Sequence, residues 1–208
     1  MGKLEHKPYA LFDMTISGCE LTYKYFYPKQ PMPFLLQLVG DRDLWKFKYG
    51  LTTKALYQGI NDLGKANDID FYNSLLFNEK GLYDVIDKGM PTVQLVERMI
   101  YAFISSSNNY TYKVMEGNIV ALYNTTVLHS EIADALLNQK DIKVDVTCSY
   151  MVKDGKMIFS FRSKEGKAKH YAELYGGGGH ANAAGTNMSM LDGFNILEEL
   201  YALDDYKH

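Results

Sequence analysis

Four consecutive glycines, Gly176 to Gly179, are followed directly by His180 in this sequence. Because glycine has no Cβ atom, such a run lets a ligand approach the backbone closely and can expose several N–H groups to an anion. His180 adds a hydrogen-bond donor or a titratable group. Upstream, Arg162 carries a planar fork of donors that matches phosphate oxygens. These residue types together predict a site for a phosphate-bearing ligand.

A second group of chemically capable residues follows the apolar segment 34–40. Asp41, Arg42 and Asp43 stand at its end, just before Trp45. Carboxylates in such a place are candidate ligands for a hard cation such as magnesium or manganese. A solvated turn with an Asp/Arg surface pair explains the same residues, and their spacing alone leaves both interpretations open. We interpret Trp45 as a core residue.

Composition limits the function classes. The chain has 208 residues and is 47% apolar, which suits one large domain or two small ones with a core. Its net charge of −3 gives no global signal of a nucleic-acid binder. Cys19 and Cys148 lack metal-type spacing and are interpreted as free thiols in a reducing cytosol. With no signal peptide and no apolar run near the roughly 20 residues of a membrane span, we expect a cytoplasmic protein without a membrane partner.

Positive charge gathers around the glycine run despite the negative total. Residues 143–180 contain seven basic and four acidic side chains. An anionic ligand would favour such a place, although a solvated basic turn has the same composition.

The first half of the chain reads as mostly helical. Residues 9–12 could form a strand, and segment 34–40 is too short to separate strand from buried helix. We expect a helix capped by Thr15, Ser17 or Gly18 and ended by the prolines from Pro28 onward. Three further helices are predicted over 51–62, 68–78 and 91–105, the last with Pro91 in its first turn. The polar cluster 105–109 is the candidate domain boundary.

The pattern changes after residue 110. Strands are predicted over 112–115, 119–123, 143–152 and 157–162, with hairpin turns at 116–118 and 153–156. Helices are predicted over 130–138, 166–175 and 190–202, the first of them capped by Ser130. Alternation in the last strand places Arg162 on the face opposite Phe159 and Phe161.

Three motifs in this half carry a resemblance to a known family. Ser-Glu-Ile-Ala-Asp at 130–134, Ser-Phe-Arg-Ser at 160–163 and Gly-Gly-Gly-Gly-His-Ala-Asn-Ala-Ala-Gly at 176–185 resemble the DHH-associated C-terminal domain, over about 115–190. That domain follows the catalytic domain of the DHH superfamily of phosphoesterases. The superfamily includes single-strand exonucleases, oligoribonucleases and cyclic-dinucleotide phosphodiesterases.

The resemblance implies an α/β fold, in which a C-terminal mixed-sheet domain binds substrate. It implies that the substrate's phosphate or terminal nucleotide contacts Arg162, Ser163, Asn182 and the backbone of Gly176, Gly177, Gly178 and Gly179. His180 would contact the phosphate next to the metals, as the catalytic residue of this half.

A shorter resemblance covers the beginning of the chain. Phe-Asp-Met-Thr-Ile-Ser-Gly-Cys at 12–19 and Asp-Arg-Asp-Leu-Trp at 41–45 look like the end of the DHH catalytic domain in its oligoribonuclease and exopolyphosphatase-like branch. There, a carboxylate at the place of Asp41 is the last ligand of a two-manganese centre. Asp43 would only orient its neighbour.

The family's early His-x-Asp-x-Asp motif and its Asp-His-His triplet are missing from the sequence. The five histidines include no adjacent pair, and one carboxylate cannot hold two cations about 3.5–4 Å apart. We therefore expect a truncated gene product or a fragment. Its expected parts are the end of a catalytic domain over 1–90, a linker helix and loop over 91–109, and a substrate-binding domain over 110–208.

The leading hypothesis is the substrate-binding part of a manganese-dependent phosphoesterase, weak or inactive alone. Its expected ligand is a short single-stranded nucleic acid or a dinucleotide, and its expected partner is the missing catalytic segment or a second copy of the chain. The alternatives are a free-standing nucleic-acid-binding module and a hydrolase of exopolyphosphatase or pyrophosphatase type.

Overall fold

The computed structural model describes residue 13 and residues 15–206 of the chain. Within them the predicted α/β fold with a mixed sheet is confirmed. The chain divides into two compact units, one ending at Glu97 and the other beginning at Arg98. The strand expected over 9–12 lies outside the described residues, as do Phe12 and Met14 of the first resemblance.

The first unit is helical in its described part. Its helices are α1 Gly18–Phe26, α2 Phe34–Asp43, α3 Leu51–Asp62, α4 Ile69–Leu75 and the beginning of α5 Glu79–Ile104. Buried side chains of α2, α3, α4 and α5 form one apolar core. No helix among the described residues is long and apolar enough to cross a membrane.

Local sequence explains where α1 begins and ends. Ser17 is its N-cap, and Glu20 completes a capping box with it. The helix ends at Phe26, two residues before Pro28. The ambiguous apolar segment is resolved as helix α2, so Asp41 lies within the last turn of a helix.

Helix α5 corrects a prediction. It runs from Glu79 through Ile104, with Pro91 in its interior instead of in the first turn of a shorter helix. Gly89 lies inside this helix at its contact with α3. A Cβ there would lie 2.0 Å from the carbonyl oxygen of Ala55 and 2.4 Å from the amide nitrogen of Gly59. The two glycines, Gly59 and Gly89, let α5 cross α3 closely, so Gly89 is a packing residue within the helix.

The second unit is built on a six-stranded sheet. Its strands are β1 Tyr110–Met115, β2 Asn118–Asn124, β3 Val146–Lys153, β4 Lys156–Ser163, β5 Gly178–His180 and β6 Ala183–Ser189, in the order β1-β2-β3-β4-β6-β5. The β2–β3 pair is parallel and the other pairs are antiparallel. The turn between β1 and β2 has positive φ at Glu116 and Gly117, as a two-residue hairpin requires.

Helices cover both faces of this sheet. They are α6 His129–Leu137, α7 Ala168–Leu174 and α8 Met190–Ala202. On one face, α7 and α8 pack over apolar side chains that include Phe159 and Phe161. On the other face, α6 packs over Ala121 and Tyr123 of β2. The predicted alternation of β4 is therefore confirmed.

Two details of the second unit differ from prediction. Helix α6 begins at His129 after a left-handed Leu128, so Ser130 lies inside the helix and does not cap it. No strand was predicted over the glycine run, but Gly178 and Gly179 belong to the edge strand β5, which pairs with β6. A strand of two glycines and a histidine has no apolar pattern, so sequence periodicity could not indicate it.

Candidate phosphate-binding site

Arg162 and His180 lie on the same face of the sheet. In the strand register, Arg162 of β4 is paired with Thr147 of β3 and with Ala183 of β6. His180 of β5 is paired with Ala183 as well. Since directly opposed residues point to the same face, the fold brings together the two side chains that the sequence had singled out.

The neighbouring row of that face consists of small residues. Ser149, Ser160, Gly185 and Gly178 are paired in succession across β3, β4, β6 and β5. We call the set of Thr147, Ser149, Ser160, Arg162 and His180 the polar face. Thr147 and Ser149 are buried, so the part of the polar face that a ligand can reach is formed by Ser160, Arg162 and His180.

Arg162 is a half-buried cation. Its Nη1 donates to the carbonyl oxygen of Phe161 at 3.0 Å, and it forms no ion pair with an acidic side chain in the described part of the chain. Burial lowers the pKa of the guanidinium, but arginine remains charged at neutral pH. A partly desolvated charge without a counterion is unfavourable, and an anionic ligand would relieve it.

The beginning of α6 adds polar groups that the sequence analysis had missed. His129 has its Nδ1 3.4 Å from the Oγ of Ser149, and its carbonyl accepts a hydrogen bond from the Tyr123 hydroxyl at 3.3 Å. Burial raises the pKa of Tyr123, so this hydroxyl stays neutral. Thr147 Oγ1 is buried without a hydrogen-bond partner among the described residues. In the sequence, the polar residues Thr147 and Ser149 at alternate positions of β3 could have indicated a polar side of the sheet.

The glycine backbone is only partly open to a ligand. The amides of Gly176 and Gly177 donate to the carbonyls of Glu173 and Ala172 at the end of α7, at 3.1 and 2.8 Å. A Cβ on Gly177 would lie 2.4 Å from the carbonyl oxygen of Gly185. These two residues therefore end a helix and allow close contact with β6, and they offer no free amide to an anion.

Ser163 and Asn182 hold the loop that follows β4. The Oγ of Ser163 accepts from the amide of Ala168 at 2.9 Å at the start of α7. Asn182 accepts twice, from the amide of Ser163 at 3.1 Å through its carbonyl and from the amide of Gly166 at 2.8 Å through Oδ1. Both predicted substrate contacts thus have structural partners, which place the end of β4 and Arg162.

Asp41 belongs to the first unit and is 5% exposed. Its carboxylate accepts hydrogen bonds from the amides of Lys48 and Tyr49, at 2.8 and 3.2 Å, and from the Thr53 hydroxyl at 2.5 Å. Burial alone would raise the pKa of Asp41, but these bonds lower it below its usual value. The carboxylate joins the end of α2 to the loop before α3.

Comparison with known proteins identifies the family. Residues 100–202 match the DHHA1 domain. The second half of the chain therefore contains a DHHA1 domain. The predicted resemblance to the DHH-associated domain is confirmed, and the polar face lies within this domain.

Two known proteins are similar to this chain, one in sequence and one in fold. Uncharacterized protein R106 of Acanthamoeba polyphaga mimivirus is 26% identical over 197 residues, which cover 91% of this chain and 45% of that protein. The chain thus spans less than half the length of this relative. The pGpG-specific phosphodiesterase PggH from Vibrio cholerae has a solved structure that aligns with a TM-score of 0.51 at 13% identity, over 87% of this chain and 71% of its own. At that identity the likeness shows the fold alone.

Several basic groups around the DHHA1 motifs are held in ion pairs. Lys167 contacts Asp145 at 2.8 Å and Glu165 at 3.3 Å, Glu165 also contacts Lys143, and Lys169 pairs with Glu173. These pairs use as many acidic as basic side chains, so the surplus of positive charge in residues 143–180 remains. Arg162 is distinguished from these lysines by its partial burial and by the lack of such a pair.

The described residues do not fit the two-manganese centre that the DHH family implies. Among residues 13 and 15–206, no three His, Cys, Asp or Glu side chains are grouped so that they could hold a metal ion. Asp41, the predicted ligand, already accepts three hydrogen bonds from the protein. We derive no catalytic step through a metal from these residues.

Proposed function

We propose that the polar face of the DHHA1 domain binds the phosphate groups of a short single-stranded nucleic acid or a dinucleotide. In this proposal the chain supplies the substrate-binding part of a DHH-family phosphoesterase. The observation that carries it is Arg162, a half-buried guanidinium without a carboxylate partner in the described part of the chain, on the same face as His180.

The chemistry of the face favours a phosphate. Arginine binds phosphate oxygens through two parallel N–H donors, and one such edge contact remains available beside the Phe161 hydrogen bond. His180 is exposed at the sheet edge, where it can donate to a second oxygen or to the adjacent phosphate. Binding of the anion would offset the unfavourable free energy of partly burying the Arg162 charge.

The small residues beside Arg162 favour a flat organic ligand over an inorganic anion alone. Ser160, Gly178 and Gly185 would form a floor on which a sugar or base could lie. The half-buried His129, beside Ser149, would contact its polar groups. Among the structural neighbours, PggH is named for a dinucleotide, pGpG, which makes that compound a suitable first probe.

Binding and turnover are separate parts of this proposal. Manganese is proposed as the cofactor of the catalytic step only. In that step His180 would contact the phosphate that is cleaved. Because the described residues lack a fitting donor set for two cations, we expect the chain to bind the dinucleotide with little hydrolysis.

Calorimetric titration with pGpG, with unphosphorylated GpG and with polyphosphate tests the proposal. We expect pGpG to bind more tightly than GpG. Loss of a charged hydrogen-bond pair costs about 1.5–3 kcal/mol, so Arg162→Ala should weaken pGpG binding by about 10-fold to 150-fold. Arg162→Lys should recover only part of the loss, because lysine lacks the planar fork.

Arg98→Ala is the matched control, since Arg98 is exposed on α5 and its removal changes the net charge equally. Its affinity for pGpG should equal that of the unaltered protein. Equal binding by Arg162→Ala would refute the proposal. Tight binding of polyphosphate without dinucleotide binding would refute it in favour of the exopolyphosphatase-type alternative.

A further inference from the structure

We propose that a surface of the helical unit, formed by Arg42, Trp45, Lys46, Phe47 and Lys48, binds single-stranded nucleic acid by base stacking and phosphate contacts. We call these five residues the aromatic-basic loop. The inference rests on the first unit alone and does not depend on the proposed role of Arg162.

The loop alternates aromatic and basic side chains. Between α2 and α3 the sequence runs Trp45-Lys46-Phe47-Lys48-Tyr49. Lys46 and Lys48 are exposed, and neither forms an ion pair with a carboxylate in the described part of the chain. Lys46 Nζ donates to the carbonyl oxygen of Thr15 at 2.9 Å. Both ammonium groups therefore keep a charge that phosphates can use.

Arg42 is held between two aromatic rings. Its guanidinium carbon lies 4.4 Å from the ring centre of Trp45 and 4.4 Å from that of Tyr57. All N–H donors of arginine lie in the guanidinium plane, so the rings that cover its faces also fix the direction of its donors. Trp45 in turn contacts the edge of Phe47, with ring centres 4.9 Å apart.

The backbone of the loop is strained and is held in place by Asp41. Trp45 and Phe47 have φ values of 55° and 47°, a region that bulky side chains rarely adopt. The Asp41 carboxylate accepts hydrogen bonds from the amides of Lys48 and Tyr49. The backbone carbonyl of Asp41 accepts another from the amide of Lys46 at 2.9 Å. Such strain persists only where the surroundings enforce it, and it is frequent at binding sites. Here its effect is to set the directions of the two rings.

These features together match the chemistry of single-stranded nucleic acid. Proteins that bind single strands combine a basic track along the backbone with aromatic rings on which bases stack. A duplex hides the faces of its bases, and polyphosphate has none. The half-buried rings of Trp45 and Phe47 between the exposed lysines therefore favour the single strand.

Trp45 is the only tryptophan of the chain, so its fluorescence reports on this loop directly. We would titrate the protein with a ten-nucleotide deoxythymidylate and with an abasic strand of equal length. The thymidylate should quench Trp45 in a saturable, salt-dependent manner. The abasic strand should bind more weakly and leave the emission unchanged. Binding of the thymidylate without a change in Trp45 emission would overturn the proposal.

Charge variants give a second measurement, with a fluorescently labelled thymidylate followed by anisotropy. Lys46→Ala with Lys48→Ala should weaken binding about tenfold and reduce the salt slope by about 1.4, since each lysine–phosphate contact with a single strand contributes about 0.7. The matched control is Lys80→Ala with Lys88→Ala, because both lysines are exposed on α5 of the same unit. An equal loss in the two double variants would overturn the proposal.

Ring variants and the Arg162 variant separate this site from the polar face. Trp45→Phe should retain thymidylate binding and Trp45→Leu should weaken it, with circular dichroism verifying that both fold. Arg162→Ala should leave the quenching of Trp45 by the thymidylate intact. If Arg162→Ala abolished that quenching, the loop would not be an independent site and the inference would fail.

Discussion

Asp41 and Arg162 are both charged residues that the sequence marked as site residues, and the structure surrounds them differently. The Asp41 carboxylate accepts three hydrogen bonds from its own unit. Arg162 has one backbone acceptor and no acidic partner within the described residues. A buried charge that the protein satisfies stabilises the fold, whereas a charge left unsatisfied is available to a ligand.

The same contrast separates other predicted site residues. Ser163 and Asn182 accept hydrogen bonds that position α7 and the loop before it, as Asp41 does for its loop. His180 is exposed and resembles Arg162. Substitutions should therefore divide into those that reduce stability and those that reduce binding.

The largest expected effect is on stability at Asp41. Asp41→Ala leaves two amides and a hydroxyl without their acceptor and should lower the free energy of unfolding by about 3 kcal/mol. Urea denaturation would measure it. Arg162→Ala, as the comparison variant, should change the free energy by much less. A larger loss of unfolding free energy for Arg162→Ala than for Asp41→Ala would make Arg162 the structural residue of the two.

The dependence of stability on pH should reveal the contribution of the Asp41 carboxylate. The pKa of Asp41 is lowered in the folded chain, so the unfolded chain binds this proton first as the pH falls below the ordinary aspartate value of about 3.9. The stability that the group contributes is present above that pH and is lost as the pH falls through the folded pKa.

We therefore expect the unaltered protein to lose stability below about pH 4 more steeply than Asp41→Asn. The two free energies of unfolding should differ most at neutral pH and converge in acid. The pKa of Asp145 is also lowered, through hydrogen bonds from Lys167 and the amide of Ile119. This residue should contribute the same pH dependence of stability to both proteins. Parallel curves would contradict the role assigned to Asp41.

Ser163→Ala should have an intermediate effect. It removes the side-chain acceptor for the amide of Ala168, at a buried position, and should cost about 1 kcal/mol of unfolding free energy. Its affinity for pGpG should fall only slightly, since the guanidinium of Arg162 remains. A strong loss of affinity at unchanged stability, measured by titration and urea denaturation, would make Ser163 a direct ligand contact.

The smallest expected effect is at His180. Its side chain is exposed, so His180→Ala should leave the melting temperature unchanged. Exposed interactions contribute little, and we expect the affinity for pGpG to fall about threefold, below 1 kcal/mol. A drop in melting temperature with unchanged affinity would show that the histidine supports the sheet edge instead of the ligand.

Much of the site could be predicted because short-range patterns define it. The alternation of β4 placed Arg162 opposite the phenylalanines, and the positive-φ turn at Glu116 and Gly117 was visible as a hairpin signal. Family motifs linked Arg162 to His180 although they are far apart in the chain. These predictions depended on residue type and spacing, which can be read from the sequence alone.

The errors have a common physical cause. Pro91 was expected in the first turn of a helix, but it lies inside α5, which packs closely against α3 at Gly89. Spacing in the sequence did not show that three of the basic residues around the motifs form ion pairs with Glu165, Asp145 and Glu173. His129 entered the site only because α6 lies across the sheet. Each depends on a neighbour that is distant in the sequence.

The sequence by itself determined the family, the α/β fold class, most helices and strands, and the face on which Arg162 lies. Periodicity, capping and motif identity are local properties that the order of residues contains. Only the tertiary structure decided which polar atoms are satisfied: the Asp41 carboxylate and the Gly176 and Gly177 amides are, and the Arg162 guanidinium lacks an acidic partner among the described residues. Hydrogen bonding and desolvation depend on atoms that folding brings together, so they separate the structural residues from the candidate binding residues.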